Sequence, residues 1–268
     1  MTKQTRRGML DDLYARYNRR ERDLPDPVDF LWHYEDVRDR EVAGLVASTL
    51  AYGRVAQIMK SVSFVLERMR PPAHFLRRSS RQSLEETFKG FRHRFASGRE
   101  MASLLNGVRH AIQRHGSLES CFRSFLDARD DTLAPALGPF VSELRAGMDS
   151  DCGHLLPTPE SGSACKRLTL YLRWMARCDM VDPGGWDEAP ASKLVVPLDT
   201  HMKRIGRAMG LTQRKSADMR AAIDITTAFR AFAPDDPVRY DFALTRLAMK
   251  KDGSLSAFLD EWRRTEDT

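Results

Sequence analysis

Residues 39–72 read DREVAGLVASTLAYGRVAQIMKSVSFVLERMRPP, and this stretch decides the fold class. Its apolar residues recur at intervals of three and four, which is the period of a helix with one buried face. They are Val42, Leu45, Val46, Leu50, Val55, Ile58, Met59, Val62, Val65, Leu66 and Met69. Pro71 and Pro72 then end the pattern, because proline cannot continue a helix.

The same helical spacing recurs farther along the chain, at residues 101–112, 118–126 and 140–144. The alternation of apolar and polar residues that marks a half-buried strand is not sustained anywhere, although the apolar run at 194–197 is compatible with an extended segment. We therefore predict an all-α fold. At 268 residues the chain has the length of one large domain or of two helical lobes that share a cleft.

Composition favours a polyanionic partner without requiring one. The chain carries 43 Lys and Arg against 37 Asp and Glu, a formal net charge of +6, and 42% of its residues are hydrophobic. An excess of positive charge attracts nucleic acid. A basic protein that is merely soluble has the same composition, so charge alone leaves both interpretations open.

The chain lacks several sequence signals that define other classes of protein. Its four cysteines are too widely spaced for a zinc site or an iron-sulfur cluster, so we expect no metal and no cofactor. No apolar run reaches membrane-spanning length, and residues 1–8 are polar and basic, unlike a secretory signal. We therefore expect a cytoplasmic protein with no membrane partner.

Two segments rich in proline and glycine interrupt the helical pattern in the second half of the chain. The first, DSDCGHLLPTPESGSACK at 149–166, precedes the helix KRLTLYLRWMAR. The second, VDPGGWDEAPASKLVVP at 181–197, precedes a helix that we expect to begin at 198–200 and to end near Gly210. Asp199 or Thr200 is the expected N-cap of that second helix.

Lys166 is the first candidate for chemistry. It begins a helix directly after the flexible SGSAC, where outward-pointing backbone amides favour an anion such as phosphate. The positive potential of this helix end and of Arg167 favours a neutral amine, which is the form that attacks carbon. The alternative is a solvated surface lysine beside a helix start.

Asp199 is the second candidate. It follows an apolar approach and a proline, so we expect it at the edge of the core, where an ionised carboxylate stabilises a cationic sugar. The alternative is that Asp199 only caps the helix. His201 also has two possible roles, which are contact with phosphate and an ordinary structural role.

The helix after Asp199 is amphipathic. It carries Lys203, Arg204 and Arg207 on one side, and Met202 and Ile205 on another. A basic edge of this kind suits contact with phosphates, which contributes affinity but no sequence information. A solvated face has the same pattern, and the sequence does not choose between them.

Together, the lysine-bearing helix and the segment VPLDTHMKRI resemble the helix-hairpin-helix superfamily of DNA base-excision glycosylases, which includes endonuclease III and the 8-oxoguanine glycosylases. In that superfamily a V-D-T/V-H-x-x-R segment carries the conserved aspartate, and it is matched here by Asp199, His201 and Arg204. The lysine nucleophile of the bifunctional members begins the second hairpin helix, which corresponds to Lys166. Lys166 and Asp199 are 33 positions apart, a separation closer to that in the archaeal 8-oxoguanine glycosylases than to that in endonuclease III.

The resemblance covers most of residues 28–250 and includes a bacterial family, mostly of unassigned function, near that archaeal branch. It implies one glycosylase-like domain over residues 1–268, with two helical lobes, a cleft between them, and the hairpin and catalytic segment at about 135–210. The hairpin departs from the family pattern, because LLPTPESGSACK replaces the usual Leu-Pro-Gly-x-Gly. The iron-sulfur cysteines of endonuclease III are also missing, as they are in the archaeal branch.

The resemblance further implies a monomer in the nucleoid that removes 8-oxoguanine from double-stranded DNA. The damaged nucleotide would rotate out of the duplex, and Lys166 would attack its sugar while Asp199 stabilises the positive charge. Contacts to DNA would come from Gly162, Ser163, Arg167, His201, Lys203, Arg204 and Arg207. The base pocket would be formed by Tyr52, Trp174, Trp186, Tyr240 and Asp241.

Two other classes of protein remain open at this stage. One is a helix-hairpin-helix protein that binds DNA without chemistry, and the other is a helical interaction scaffold whose aromatic residues are all core. Lysine and aspartate at the two expected cleft positions argue against the first. Salt-dependent DNA affinity would separate the scaffold from both DNA-binding classes.

Overall fold

The computed structural model describes residues 5–20, 24–150, 152–250 and 252–265. Part of the N-terminal stretch on which we based the expectation of no secretory signal, residues 1–4, lies outside these ranges. The described residues are predominantly helical, which confirms the all-α prediction at that level. None of their helices has the length and apolar composition needed to cross a membrane.

The α-helices are joined by connections of varied length. They are α1 (Arg6–Tyr17), α2 (Val37–Thr49), α3 (Val55–Glu67), α4 (Pro72–Arg78), α5 (Arg81–Thr87), α6 (Gly98–His115), α7 (Leu118–Arg123), α8 (Ala134–Ala146), α9 (Lys166–Ala176), α10 (Thr200–Ala208), α11 (Met219–Arg230), α12 (Asp241–Met249) and α13 (Ser254–Arg264). Short 3-10 helices occupy Pro27–His33, Pro159–Ser161 and Ala191–Lys193.

One small sheet interrupts the helices. Strands β1 (Arg92–His93) and β2 (Ala96–Ser97) pair antiparallel, with Arg92 opposite Ser97 and His93 opposite Ala96. Sequence analysis did not predict this hairpin, because strands of two residues are too short for an alternating pattern to be recognised. The apolar run at 194–197 is buried but forms neither helix nor strand.

The periodic stretch that decides the fold class is divided between two helices. Residues 50–54 separate α2 from α3, and Gly53 has a φ of +102°, a conformation that glycine adopts without strain. The division matters because it lets Tyr52 and Gly53 line a cavity. Apolar spacing continues through the break, so spacing alone does not reveal it.

Helix α2 forms the centre of the core and packs closely on α9. At Gly44 an added Cβ would lie 3.1 Å from both Leu31 and Tyr171, so a larger residue would push α9 away. Close packing of this kind fixes one helix relative to another within a few tenths of an ångström. The position of Lys166 at the start of α9 therefore depends on the α2 core.

Candidate functional site

A cavity of about 820 Å³ opens between the turn after α2, the β1–β2 hairpin and the first residues of α9, α10 and α12. Its size lies within the range of about 300–1,000 Å³ that is usual for small-molecule sites. Polar side chains from distant parts of the sequence converge on it. Those used below are Tyr52, Arg94, Lys166, Asp199, His201 and Asp241.

Lys166 lines this cavity from the first position of α9. The preceding residue, Cys165, is buried and has a φ of +49°, an uncommon conformation outside glycine. Its backbone N–H donates to Ser163 Oγ at 3.0 Å, and its thiol donates to the Pro157 carbonyl at 3.3 Å. These contacts hold the start of α9, so the half-buried Lys166 side chain leaves a defined point on the cavity wall.

Asp199 lines the same cavity as the N-cap of α10. Its Oδ1 accepts a hydrogen bond of 2.9 Å from the Met202 backbone N–H, which confirms the predicted cap. Within the described ranges no hydrogen bond or ion pair reaches Oδ2. The two interpretations of Asp199 are therefore compatible, since one oxygen caps the helix while the residue faces the cavity.

Asp241, the first residue of α12, is the buried acid of the cavity, with 4% of its surface exposed. Its Oδ2 accepts a hydrogen bond of 2.5 Å from Arg173 Nη1. Burial raises the pKa of Asp241 to about 6, while Arg173 opposes the rise, the Asp199 charge adds to it and the Lys166 charge opposes it. The pKa of Asp241 therefore depends on the charges of both candidate catalytic residues, Lys166 and Asp199.

A buried network of ion pairs continues from Asp241 into the protein. Arg173 Nη2 lies 3.0 Å from Asp182 Oδ1, and Asp182 also accepts from Arg177. Arg177 contacts Asp236 at 2.9 Å. Burial disfavours charge on Arg177, but Asp182 and Asp236 outweigh burial and raise its pKa. The network ties α9 to the start of α12 and holds both helices beneath the cavity.

Arg167 also lines the cavity, but its guanidinium is already engaged by the protein. Nη1 donates to the Thr49 carbonyl at 2.9 Å, and Nη2 donates to the His154 carbonyl. Its Cζ lies 5.0 Å from the centre of the Tyr52 ring, and burial lowers its pKa. Arg167 is therefore placed to support the cavity wall rather than to reach phosphates.

The other predicted DNA contacts divide between the cavity and the outer surface. Ser163 and His201 line the cavity, and both are half-buried. Gly162 lies exposed before α9 with a φ of +77° and does not line it. On α10 the side chains of Lys203, Arg204 and Arg207 point elsewhere, and Arg204 and Arg207 are exposed.

Of the predicted pocket aromatics, all within the described ranges, Tyr52 lines the cavity and three others do not. The expectation that Trp174, Trp186 and Tyr240 belong to a base pocket is not met at this cavity. Trp174 is fully buried in the core, and Tyr240 donates to Asp11 Oδ1 at 2.8 Å. Trp186 donates to the buried Glu41 at 3.2 Å. Burial of these large rings stabilises the core and leaves them no contact with the cavity.

Several lining residues were not predicted from the sequence, because no local pattern marks them. Arg94 comes from the hairpin, and Asp26 and Arg246 form an ion pair of 3.4 Å at the cavity edge. Phe242 lies next to Asp241 and has the Arg246 Cζ 4.7 Å from its ring centre. The position of Phe242 next to Asp241, a predicted pocket residue, was the one signal in the sequence for these missed residues.

Within the described ranges, no group of three or more His, Cys, Asp or Glu residues is arranged to hold a metal ion. The chemistry that the cavity offers is that of an amine, two carboxylates and an imidazole, from Lys166, Asp199, Asp241 and His201. An amine beside carboxylates is suited to nucleophilic attack on carbon with local proton transfer.

Comparison with known proteins identifies a family but no described activity. No curated protein matches the chain significantly, and neither does any solved structure. A family profile described as "Protein of unknown function (DUF2400)" matches residues 26–250, a range that includes the lining residues named above. Because this match covers most of the sequence, the chain belongs to the DUF2400 family.

Proposed function

We propose that this protein is a DNA glycosylase with lyase activity that removes a damaged base, with 8-oxoguanine as the first candidate. The observation that carries the proposal is that Lys166 and Asp199, 33 positions apart, begin two different helices and line one cavity. In the proposal, the cavity is the cleft between two helical lobes. The segment 147–165 between α8 and α9 takes the place of the hairpin.

The proposed reaction begins with a nucleotide rotated out of the duplex into the cavity, since its glycosidic bond is inaccessible within the base stack. Lys166 Nζ attacks the sugar C1′, and the bond from C1′ to the base breaks with its electron pair leaving on the base. Opening of the sugar ring then gives an imine between Lys166 and C1′. Loss of a proton from C2′ expels the 3′ phosphate and cleaves the strand.

Asp199 and Asp241 have separate roles in this proposal. The Asp199 carboxylate stabilises the positive charge that develops on the sugar and accepts the proton released by the attacking amine. Asp241 lies deeper, paired with Arg173, and offers a polar contact to the edge of the base. Tyr52 lines the same space and offers a ring for stacking.

The surface around α10 supports binding to duplex DNA. Arg204 and Arg207 are exposed, and the described part of the chain provides neither with an acidic partner. Guanidinium groups of this kind neutralise phosphates and release counterions. The proposal is of a monomer that works on double-stranded DNA in the cytoplasm, associated with the nucleoid.

Borohydride trapping tests the proposal directly. Purified protein is incubated with a duplex that contains one 8-oxoguanine, and sodium borohydride reduces any imine to a stable covalent adduct. We expect an adduct with the wild-type protein and none with Lys166→Gln. DNA affinity should be retained by the variant, because the substitution removes the nucleophile and leaves the outer basic surface intact.

Lys193→Gln is the matched control, because it removes the same charge from a half-buried lysine that does not line the cavity and is not among the predicted DNA contacts. This variant should form the adduct as the wild type does. An adduct that persists in Lys166→Gln would move the nucleophile to another residue. Binding without an adduct in any protein would favour a DNA-binding protein that performs no chemistry.

A further inference from the structure

The tip of the β1–β2 hairpin carries the most exposed large apolar residue of the described chain. Phe95 is 74% exposed, and with Arg94 it forms the two-residue turn between His93 and Ala96. An exposed phenylalanine ring is unfavourable in water, because removing its apolar surface from water lowers the free energy. The position is therefore one at which a binding partner would contribute energy.

The hairpin is anchored firmly by its other residues. His93 is fully buried, with Nδ1 2.9 Å from Ser61 Oγ on α3 and Nε2 3.1 Å from the Tyr52 carbonyl. A carbonyl can only accept, so Nε2 carries the proton and Nδ1 accepts from the serine hydroxyl. Burial lowers the pKa of His93, which agrees with a neutral ring. Tyr52 completes the contact by donating from its hydroxyl to the His93 carbonyl at 3.1 Å.

The same contacts place Phe95 at the rim of the cavity. Tyr52 and Arg94 both line the cavity, and the Arg94 Cζ lies 5.4 Å from the centre of the Phe95 ring. An added Cβ at Gly53 would lie 2.9 Å from Arg94 Cδ, so the hairpin tip touches the turn after α2. The aromatic tip and the cavity wall are thus parts of one packed unit.

The charge around the tip is positive. Arg92 precedes the turn, Arg94 is part of it, Arg99 follows it on α6, and all three are exposed. Cationic side chains around an exposed ring match a duplex, where phosphates surround stacked bases. An apolar protein partner would not need three arginines, so the surrounding charge favours nucleic acid.

We propose that Phe95 is a wedge that enters the DNA duplex and fills the gap left when a nucleotide rotates into the adjacent cavity. This inference rests on the proposed function, because it takes duplex DNA as the substrate. Apolar side chains inserted between base steps unstack them, and the filled gap opposes return of the rotated nucleotide. Rigid anchoring by His93 lets the ring enter the stack without ordering a flexible loop first.

The test measures unstacking without requiring chemistry. The probe is a duplex with a tetrahydrofuran abasic analogue, which cannot be cleaved, opposite 2-aminopurine, whose fluorescence rises when it is unstacked. We expect wild-type protein to raise the fluorescence several-fold. We expect Phe95→Ala to lose most of that rise and to bind the duplex about tenfold more weakly, while Phe95→Leu, which keeps an apolar side chain, restores much of both.

Met180→Ala is the matched control, because Met180 is 68% exposed but lies in the connection after α9 and not in the hairpin. This variant should behave as the wild type does. The inference is overturned if Phe95→Ala raises the fluorescence as strongly as the wild type, or if the wild type raises none.

The wedge and the glycosylase can fail separately. A Phe95-dependent rise in fluorescence, together with no borohydride adduct at Lys166, would retain the wedge and remove the glycosylase. An adduct at Lys166 that forms equally well on duplex in Phe95→Ala would retain the glycosylase and remove the wedge.

Discussion

Arg173 and Asp241 are 68 positions apart in sequence, yet Arg173 Nη1 lies 2.5 Å from Asp241 Oδ2 beneath the cavity. The pair joins α9, which begins with Lys166, to α12, which begins with Asp241 itself. Because both side chains are almost fully buried, the pair controls both the charge and the geometry of the cavity floor.

The buried carboxyl of Asp241 predicts an unusual dependence of stability on pH. Folding raises its pKa from 3.8 to about 6, so between these values the folded protein holds a proton that the unfolded chain has released. The contribution of this group to the free energy of unfolding is therefore complete below pH 4 and is lost as the pH rises through 6. The loss amounts to at most about 3 kcal/mol.

Urea denaturation of the wild type and Asp241→Asn, between pH 4 and pH 7, measures this effect. Asparagine cannot ionise, so the difference in unfolding free energy between the two proteins should shift with pH in favour of the variant as the pH rises. Titrating groups that do not interact with Asp241 contribute equally to both proteins and cancel in the difference. Parallel profiles would show that Asp241 keeps its ordinary pKa in the folded protein.

Two substitutions of Asp199, to asparagine and to alanine, should separate its role as the cap of α10 from its proposed role in excision. Asparagine keeps a side-chain oxygen that caps α10, so Asp199→Asn should unfold within about 0.5 kcal/mol of the wild type, whereas Asp199→Ala should lose about 1 kcal/mol. Single-turnover excision should be at least about 100-fold slower in both variants, because neither retains a carboxylate to stabilise the cationic sugar.

Asp218 is the control for capping, because it caps α11 through a 2.9 Å hydrogen bond from Ala221 and does not line the cavity. Asp218→Ala should lose similar stability with no change in the rate of excision. If Asp199→Asn excises the base at the wild-type rate, Asp199 is only a cap.

Arg173 should be far more important to stability than an exposed arginine with a similar ion pair. Arg173→Met leaves Asp241 buried without a cation, and we expect it to lower the free energy of unfolding by about 3–5 kcal/mol. Arg214 forms a 2.9 Å pair with Asp224 at the surface, so Arg214→Met should lose less than about 1 kcal/mol. Equal losses in urea denaturation would mean that the buried network contributes little.

The exposed arginines of α10 should act through phosphate contacts. Arg204→Gln and Arg207→Gln should each weaken binding to undamaged duplex and reduce the slope of log affinity against log salt by about one. Arg78→Gln removes an exposed charge on α4, away from the cavity lining, and should leave the slope unchanged. Equal slopes in all these proteins would place the DNA surface elsewhere.

Local features of the sequence were sufficient for the helices that carry the candidate site. The helix beginning at Lys166 and the one capped by Asp199 were both predicted, because capping and helical periodicity depend on residues within a few positions of one another. The spacing of apolar residues also predicted a helical fold. It did not predict the turn at Gly53, because the apolar period continues across it.

Which of the predicted pocket residues line the cavity depends on the tertiary structure. The resemblance implied that Tyr52, Trp174 and Tyr240 share one pocket, but the sequence does not distinguish an interior filled by protein from one open to a ligand. That distinction depends on contacts between distant segments, such as Arg173 with Asp241 and His93 with Tyr52. The starts of the helices that carry Lys166 and Asp199 can be predicted from sequence, since they arise from local hydrogen bonding, whereas the cavity arises from how the helices pack.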